Sequence, residues 1–388
     1  MQFVDLAAQQ QRIRKKLETN IKAVLNHGKY IMGPEIQMLE KQLAAYVGTK
    51  HAISCASGTD ALLLALMAYG VGPGDSIITT PFTFIATAEV ISLLGATPIF
   101  VDIDPQTFNI SPKLLDQTLC SLANRLDHSP LPDSVKQKQS TTHPRGIITV
   151  DLFGLPCDYD QINTIAVDHN LFVIEDAAQS FGAQYKSKMS GSLTEVGCTS
   201  FFPAKPLGCY GDGGAIFTDN DDIAQKIVSM RVHGQGSHKY DNVRIGLNAR
   251  MDTLQAAILL AKLDIFPEEI KLRQQAAKRY IDLMSNNSLL TMPHIPESYQ
   301  SAWAQFSILA MDEAHRSNSQ AHLEKAGIPT AIYYAKPLHL QPAFAYLGYK
   351  EGDFPISEDC SRRIFSLPMH PYLTIEEQGR VAQALSEL

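Results

Sequence analysis

Between residues 76 and 176 the chain contains four short runs that are apolar almost without interruption: SIITT (76–80), TPIFVDI (97–103), GIITVDLF (146–153) and LFVIED (171–176). Helical patterns stand before and between them, in GTDALLLALMAYG (58–70), FIATAEVISLLG (84–95) and DQINTIAVDHN (160–170). A strand with one wet face alternates apolar and polar residues, whereas a continuously apolar strand is covered on both faces. The alternation of such strands with helices predicts an α/β fold, a mostly parallel central sheet with helices on both faces. TSFF (199–202) and GGAIFT (213–218) read as two further strands. Beyond about residue 250 the texture changes to long helices (252–263 and 266–285), a strand QFSILAM (305–311), a helix (313–326) and a final helix from 374. That order predicts a smaller C-terminal α+β domain. A chain of 388 residues exceeds one ordinary core. The expected division is a large domain over 1–249 and a small one over 250–388. Residues 121–145, SLANRLDHSPLPDSVKQKQSTTHPR, are polar, rich in Pro and Ser and without periodicity, and read as a surface insertion.

Composition excludes several classes. Hydrophobic residues make up 45% and charged residues 19%, which suits a folded rather than a disordered chain. The net charge is -7 and no long Lys/Arg run occurs, so no nucleic-acid partner is expected. No apolar run approaches the roughly 18 residues that span a bilayer, and MQFVDLAAQQQRIRKK lacks the apolar segment of a signal peptide. The expected location is therefore the cytoplasm, with no membrane partner. The six cysteines form no C-x-x-C pair, and reduced, mostly buried thiols follow. No Cys/His spacing suggests a metal site.

Ligands of open α/β sheets bind beyond the carboxyl ends of the strands, and the unusual residues fall there. Asp176 closes the run LFVIED. It reads either as a helix N-cap or as a carboxylate held to protonate a ring nitrogen. Gly58 and Thr59 open a helix in SGTDALLLAL, where free N–H groups and the helix dipole suit a phosphate; a plain cap is the alternative. Ser200 offers a hydroxyl to the same phosphate or none at all. PFTF (81–84) supplies aromatics for the core or for stacking on a flat ring. Lys205 lies in SFFPAKPLGCYGDGG (200–214), an unusual place for a solvated ammonium. A lysine that forms a Schiff base must lose its proton and so needs partial desolvation. These parts together compose a site for pyridoxal 5'-phosphate. YGDGGA (210–215) does not open a helix and is rejected as a dinucleotide fingerprint.

With these motifs in order, the chain resembles the DegT/DnrJ/EryC1/StrS family of sugar aminotransferases, which have the type I fold of pyridoxal-phosphate enzymes. HGKYIMGPEIQMLEKQLAAYVGTKHAISCASGTDAL, DAAQSFGA, TSFFPAKPLGCYGDGGAIFT, NARMDTLQAAIL and PTAIYYAKPLHLQPAF carry the resemblance nearly end to end. Within the family the chain looks most like enzymes that aminate a 3-keto-uronic acid on UDP, on the way to bacterial surface polysaccharide. The resemblance implies that Lys205 is the Schiff-base lysine, Asp176 the pyridine-nitrogen partner and Gln179 the neighbour of the ring hydroxyl. It makes Gly58, Thr59 and Ser200 phosphate ligands and Phe84 the stacking aromatic. Asn248 matches a phosphate ligand from the second subunit of a homodimer with shared active sites. Arg250 and Tyr334 match residues that meet the sugar substrate. L-glutamate is the implied donor, leaving 2-oxoglutarate. Many relatives carry His where this chain has Tyr333, and the 121–145 insertion is longer than usual. An aminotransferase for a 4-keto nucleotide sugar and a non-catalytic cofactor-binding regulator are the rival readings.

Overall fold

The computed structural model describes residues 1–124, 130–137 and 144–388. Its centre is a seven-stranded sheet. The strands are β1 (His51–Cys55), β2 (Ser76–Thr79), β3 (Thr97–Phe100), β4 (Pro144–Val150), β5 (Phe172–Asp176) and, after a small hairpin of β6 (Gln184–Tyr185) and β7 (Lys188–Met189), β8 (Val196–Ser200) and β9 (Gly214–Thr218). Their order across the sheet is β1-β9-β8-β5-β4-β2-β3. Neighbours from β8 to β3 are parallel, and only β9 runs against its two neighbours. The expected mostly parallel sheet is thus present, with two shifted strand ends. β8 stops at Ser200 because the Phe201 N–H turns to the Gly213 carbonyl at 2.7 Å. β4 stops at Val150, and Leu152–Gly154 forms a single 3-10 turn with Phe153 at φ 58°.

Helices cover both faces. In chain order they are α1 (Leu6–His27), α2 (Pro34–Val47), α3 (Gly58–Ala68), α4 (Ala86–Leu93), α5 (Pro112–Asn124), α6 (Asp133–Gln137), α7 (Tyr159–Asp168), α8 (Asp221–Met230) and α9 (Thr253–Leu263). Leu64, Val90 and Ile227 bring α3, α4 and α8 onto Ile148 and Ile174 of the sheet. Elsewhere Leu39 of α2 and Leu259 of α9 meet Phe217 of β9, and Leu119 of α5 and Ile162 of α7 meet Ile147 and Val173. α1 was absent from the sequence reading. It is largely exposed and rests Ile13 and Leu17 on Ile258 and Ala261 of α9.

α10 (Phe266–Met284) leads into β10 (Leu290–Thr291), β11 (Tyr299–Gln300), β12 (Phe306–Ala310), α11 (Glu313–Lys325), α12 (Pro355–Arg363), β13 (Ile364–Leu367) and α13 (Ile375–Ser386). β10, β12 and β13 form an antiparallel three-stranded sheet, while β11 joins β6. Phe306, Phe365, Tyr280 and Val381 close a core between this sheet and α10 and α13.

The segment expected as a surface insertion is partly built into the core. α5 continues to Asn124, α6 follows, and Leu122, Leu131 and Val135 are buried in the cluster that holds Ile78 and Ile147. Three apolar residues so far apart leave no periodic trace. Residues 125–129 and 138–143 of that segment lie outside the described residues. The cysteines are free thiols, five buried and Cys120 exposed. Asp116, Cys120 and His169 bring one donor atom each within 4.8 Å of one another, a juxtaposition that no linear spacing records. Among the described residues no helix is long and apolar enough to cross a membrane.

Candidate active site

Lys205 sits at the tip of a tight loop that follows β8. The loop is closed at its base by the Cys209 N–H donating to the Phe201 carbonyl at 2.7 Å. Gly208 permits that closure, since a Cβ there would lie 2.5 Å from the Pro203 carbonyl oxygen. The Lys205 amine has no hydrogen-bond acceptor among the described residues. Burial pulls its pKa below the ordinary lysine value, and only the charge of Asp176 opposes that shift. A lysine so placed is closer to the neutral amine that nucleophilic chemistry requires.

Asp176 is the last residue of β5 and is buried. No helix starts after it, so it is not a helix cap. Its Oδ2 accepts from the Thr87 hydroxyl at 2.9 Å and its Oδ1 from the Ala178 N–H at 3.2 Å. Burial raises its pKa, while those two donors and Lys205 work in the opposite direction. No cationic side chain donates to it among the described residues. The carboxylate is therefore dry, hydrogen-bonded on both oxygens and short of a positive partner.

Gln179 lies three residues further along. The Phe153 N–H donates to its Oε1 at 2.7 Å, which orients the amide, and its Nε2 donates to the Tyr334 hydroxyl at 3.1 Å. Among the described residues the Tyr334 hydroxyl proton has no acceptor. Phe153 can aim its N–H this way because it adopts the left-handed region at φ 58°. Its turn is held by Ala304 N–H, which donates to the Phe153 carbonyl at 3.1 Å, and by Ala302 N–H, which donates to the Gly154 carbonyl at 2.8 Å.

The start of α3 completes the set. Ser57 caps the helix by accepting from the Asp60 N–H at 3.0 Å, so the cap reading of this motif holds for Ser57. The peptide N–H groups of Gly58 and Thr59 have no acceptor among the described residues. Ser200 packs directly against this end: a Cβ on Gly58 would lie 2.6 Å from the Ser200 Cβ. The Ser200 Oγ accepts from the Phe202 N–H at 3.2 Å and keeps its own proton to give. Phe84 leaves 55% of its surface exposed just ahead of α4, three residues before Thr87. Among the described residues the Asn248 and Arg250 side chains hydrogen-bond to none of this group. They bond to each other, Arg250 Nη2 to Asn248 Oδ1 at 2.6 Å, and the buried Arg250 Nε has no hydrogen-bond partner there.

Sequence reasoning missed Thr87, Ala178 and the Phe153 N–H. Only the spacing of Thr87 one helical turn beyond Phe84 offered a signal; the other two are backbone groups that carry no residue-type signature.

These residues fit pyridoxal phosphate. Two free N–H groups at a helix start and a hydroxyl suit its phosphate, and an anionic carboxyl without a cation suits its pyridinium. An amine depressed toward neutrality suits its aldehyde. Fold and site together define the class: a pyridoxal-phosphate enzyme of type I fold. Comparison with known proteins makes this particular. The model of the DegT/DnrJ/EryC1/StrS aminotransferase family matches residues 11–386, and the chain belongs to that family. It is 48% identical over 386 residues to the UDP-2-acetamido-2-deoxy-3-oxo-D-glucuronate aminotransferase of Pseudomonas aeruginosa, covering 100% of this chain and 99% of that one. A DegT DnrJ EryC1 StrS aminotransferase from Brucella abortus superposes with a TM-score of 0.93 at 44% identity, over 100% of this chain and 99% of that one. NtdA from Bacillus subtilis, solved with bound cofactor PMP, superposes with a TM-score of 0.84 at 30% identity, over 99% of this chain and 82% of that one. The chain is a pyridoxal-phosphate-dependent sugar aminotransferase.

Proposed function

We propose that this enzyme transfers the amino group of L-glutamate to the C3 ketone of UDP-2-acetamido-2-deoxy-3-keto-D-glucuronic acid, a step toward bacterial surface polysaccharide (O-antigen), in the cytoplasm. The observation that carries the reading is the unpartnered Lys205 amine within electrostatic reach of the buried Asp176. The full-length likeness to the Pseudomonas aeruginosa enzyme supports the sugar. Bound pyridoxal phosphate supplies an electron sink for the bond broken at the donor α-carbon. Lys205 would anchor the cofactor and carry the proton that leaves that carbon. Asp176 would keep the ring nitrogen charged. Gly58, Thr59 and Ser200 would hold the phosphate, Phe84 would stack on the ring and Gln179 would stand beside its hydroxyl. Tyr334 would meet the sugar.

The working unit in this reading is a homodimer with shared sites, in which Asn248 of the partner subunit completes the phosphate site and Arg250 of the partner subunit meets the substrate. A planar guanidinium suits a carboxylate or a diphosphate. Supporting an interface, Tyr30, Ile31, Met32, Phe202, Tyr240 and Ile245 are exposed apolar residues on the surface of the single chain. Borohydride is expected to fix the cofactor to one peptide, the one containing Lys205; label on another lysine would sink the role. A coupled assay with glutamate and a panel of 3-keto and 4-keto nucleotide sugars decides the substrate, and faster turnover of a 4-keto sugar would replace this reading with that rival.

A further inference from the structure

Two carboxyls lie fully enclosed beside the Asp176 turn, Asp151 just past β4 and Glu175 one residue before Asp176. Alternation along β5 points Glu175 away from the face that Asp176 serves. Asp151 Oδ1 accepts from the Cys157 N–H at 2.9 Å and the Tyr159 hydroxyl at 2.8 Å, and its Oδ2 from the Ser180 hydroxyl at 2.9 Å. Glu175 Oε1 accepts from the Gly191 N–H at 2.6 Å and Oε2 from the Leu193 N–H at 3.0 Å. The Ser190 Oγ stands between the two acids, 2.8 Å from Glu175 Oε1 and 3.3 Å from Asp151 Oδ2. It has one proton and can serve only one of them.

Every donor to the pair is neutral. Among the described residues no Lys, Arg or His reaches either carboxyl. The titratable groups that face them are Cys157 from the loop before α7, Tyr159 from its first position, Cys198 from β8 and each other, none of which is a base that charges positive. Two anions this close in a dry site, with no cation, do not both persist.

We propose that Asp151 and Glu175 share one proton, and that the singly charged pair is the positioning element that holds the Asp176–Ser180 turn in place. The hydrogen bonds tie both ends of that turn to the pair. The Asp151 N–H donates to the Asp176 carbonyl at 3.2 Å, and Ser180, next to Gln179, is held by the Asp151 carboxyl. Burial and the neighbouring acid raise Glu175 well above the ordinary carboxyl range. Burial raises Asp151 too, and three neutral donors oppose the shift at each acid. The charge of Asp151 adds to the rise at Glu175, whereas the Glu175 side chain works the other way at Asp151, so Glu175 keeps the proton and Asp151 the charge. The positioning role rests on the proposed roles of Asp176 and Gln179, whereas the shared proton does not.

Glu175→Gln tests the proton, since its amide has the shape of the protonated acid and no proton to release. Infrared spectra of the apo-protein at pH 7 should show the carbonyl stretch of a protonated carboxyl that disappears in Glu175→Gln, where Asp151 keeps its charge and its three donors. The pH profile follows with a definite sign. The folded chain binds a proton that the unfolded chain releases above the ordinary Glu value of about 4.3. Stability is lost as pH rises from there to the raised Glu175 value, about tenfold in the folding constant per pH unit. Glu175→Gln should remove that increment from the slope. An unchanged slope, or a band that is absent or survives in the variant, overturns the shared proton. Ser180→Ala tests positioning, since it removes the hydroxyl that ties the turn to Asp151 and leaves both carboxyls in place. Pyridoxal phosphate should bind about tenfold more weakly to it, with the infrared band kept. Unchanged affinity overturns the positioning role while leaving the proton and the proposed function standing.

Discussion

At the scale of single residues, the site works by controlling two protonation states with burial. Lys205 is desolvated toward a free amine, and Asp176 is desolvated yet held toward its anion by two hydrogen bonds. Thr87 is the decisive partner there, because its hydroxyl is the only side-chain donor to Asp176 among the described residues. A hydrogen bond to a charged group contributes about 1.5–3 kcal/mol. Thr87→Val keeps the shape and removes that donor, so the carboxyl pKa rises further and the anion is less available to a pyridinium. We expect proton removal from the amino donor, glutamate in the proposed reading, to slow roughly 10- to 100-fold, read from single-turnover kinetics. Asp176→Asn should be slower still, and a variant at near wild-type rate would show that the carboxylate does not serve the ring nitrogen.

Elements, rather than residues, set the positions of the groups proposed to hold the phosphate. The start of α3 can lie against the end of β8 only because residue 58 has no side chain. Gly58→Ala must push Ser200 or the helix away, and the two free N–H groups move with it. Phosphate-dependent affinity for the cofactor should fall about tenfold or more, some 1.4 kcal/mol, by equilibrium titration. α9 shows a different tension. Lys262 is completely buried in it, and its Nζ lies 4.3 Å above the Tyr210 ring with no hydrogen-bond partner among the described residues. Burial lowers its pKa to about 8, with Glu269 opposing. In the unfolded chain the value is about 10.4, so folding is penalised fully below pH 8 and progressively less as pH rises toward that of the free side chain. Lys262→Met should raise stability at pH 7 by on the order of 2 kcal/mol in urea unfolding. The gain should shrink between pH 8 and 10; a gain that grew over that range would contradict the buried ammonium.

On the scale of the whole molecule, the shared-site model makes a symmetry prediction. A heterodimer of Lys205→Ala with an Asn248 and Arg250 double variant carries both lesions in one site and none in the other. Subunit exchange between the two inactive proteins should restore up to about half of the activity per heterodimer. Mixtures that stay inactive while wild-type subunits exchange would rule the model out. The parallel sheet and its covering helices were legible in the sequence because continuous apolar strands and 3.6-residue periods are local patterns. Lys205, Asp176, Gly58, Thr59 and Ser200 stood out because strand ends and helix starts are local too. The antiparallel course of β9 was not legible, nor was the docking of α1 on α9, since an exposed helix needs only a few spaced contacts. Leu131 and Val135 entered the core from a segment without periodicity. Thr87 on Asp176, the Phe153 N–H on Gln179 and the meeting of Asp151 with Glu175 join positions 24 to 89 residues apart. The sequence alone determined the class of fold and the candidate reactive groups, because local periodicity and residue chemistry are written along the chain. Which neighbours tune those groups was decided only when the tertiary structure brought distant segments into hydrogen-bond range and removed the water between them.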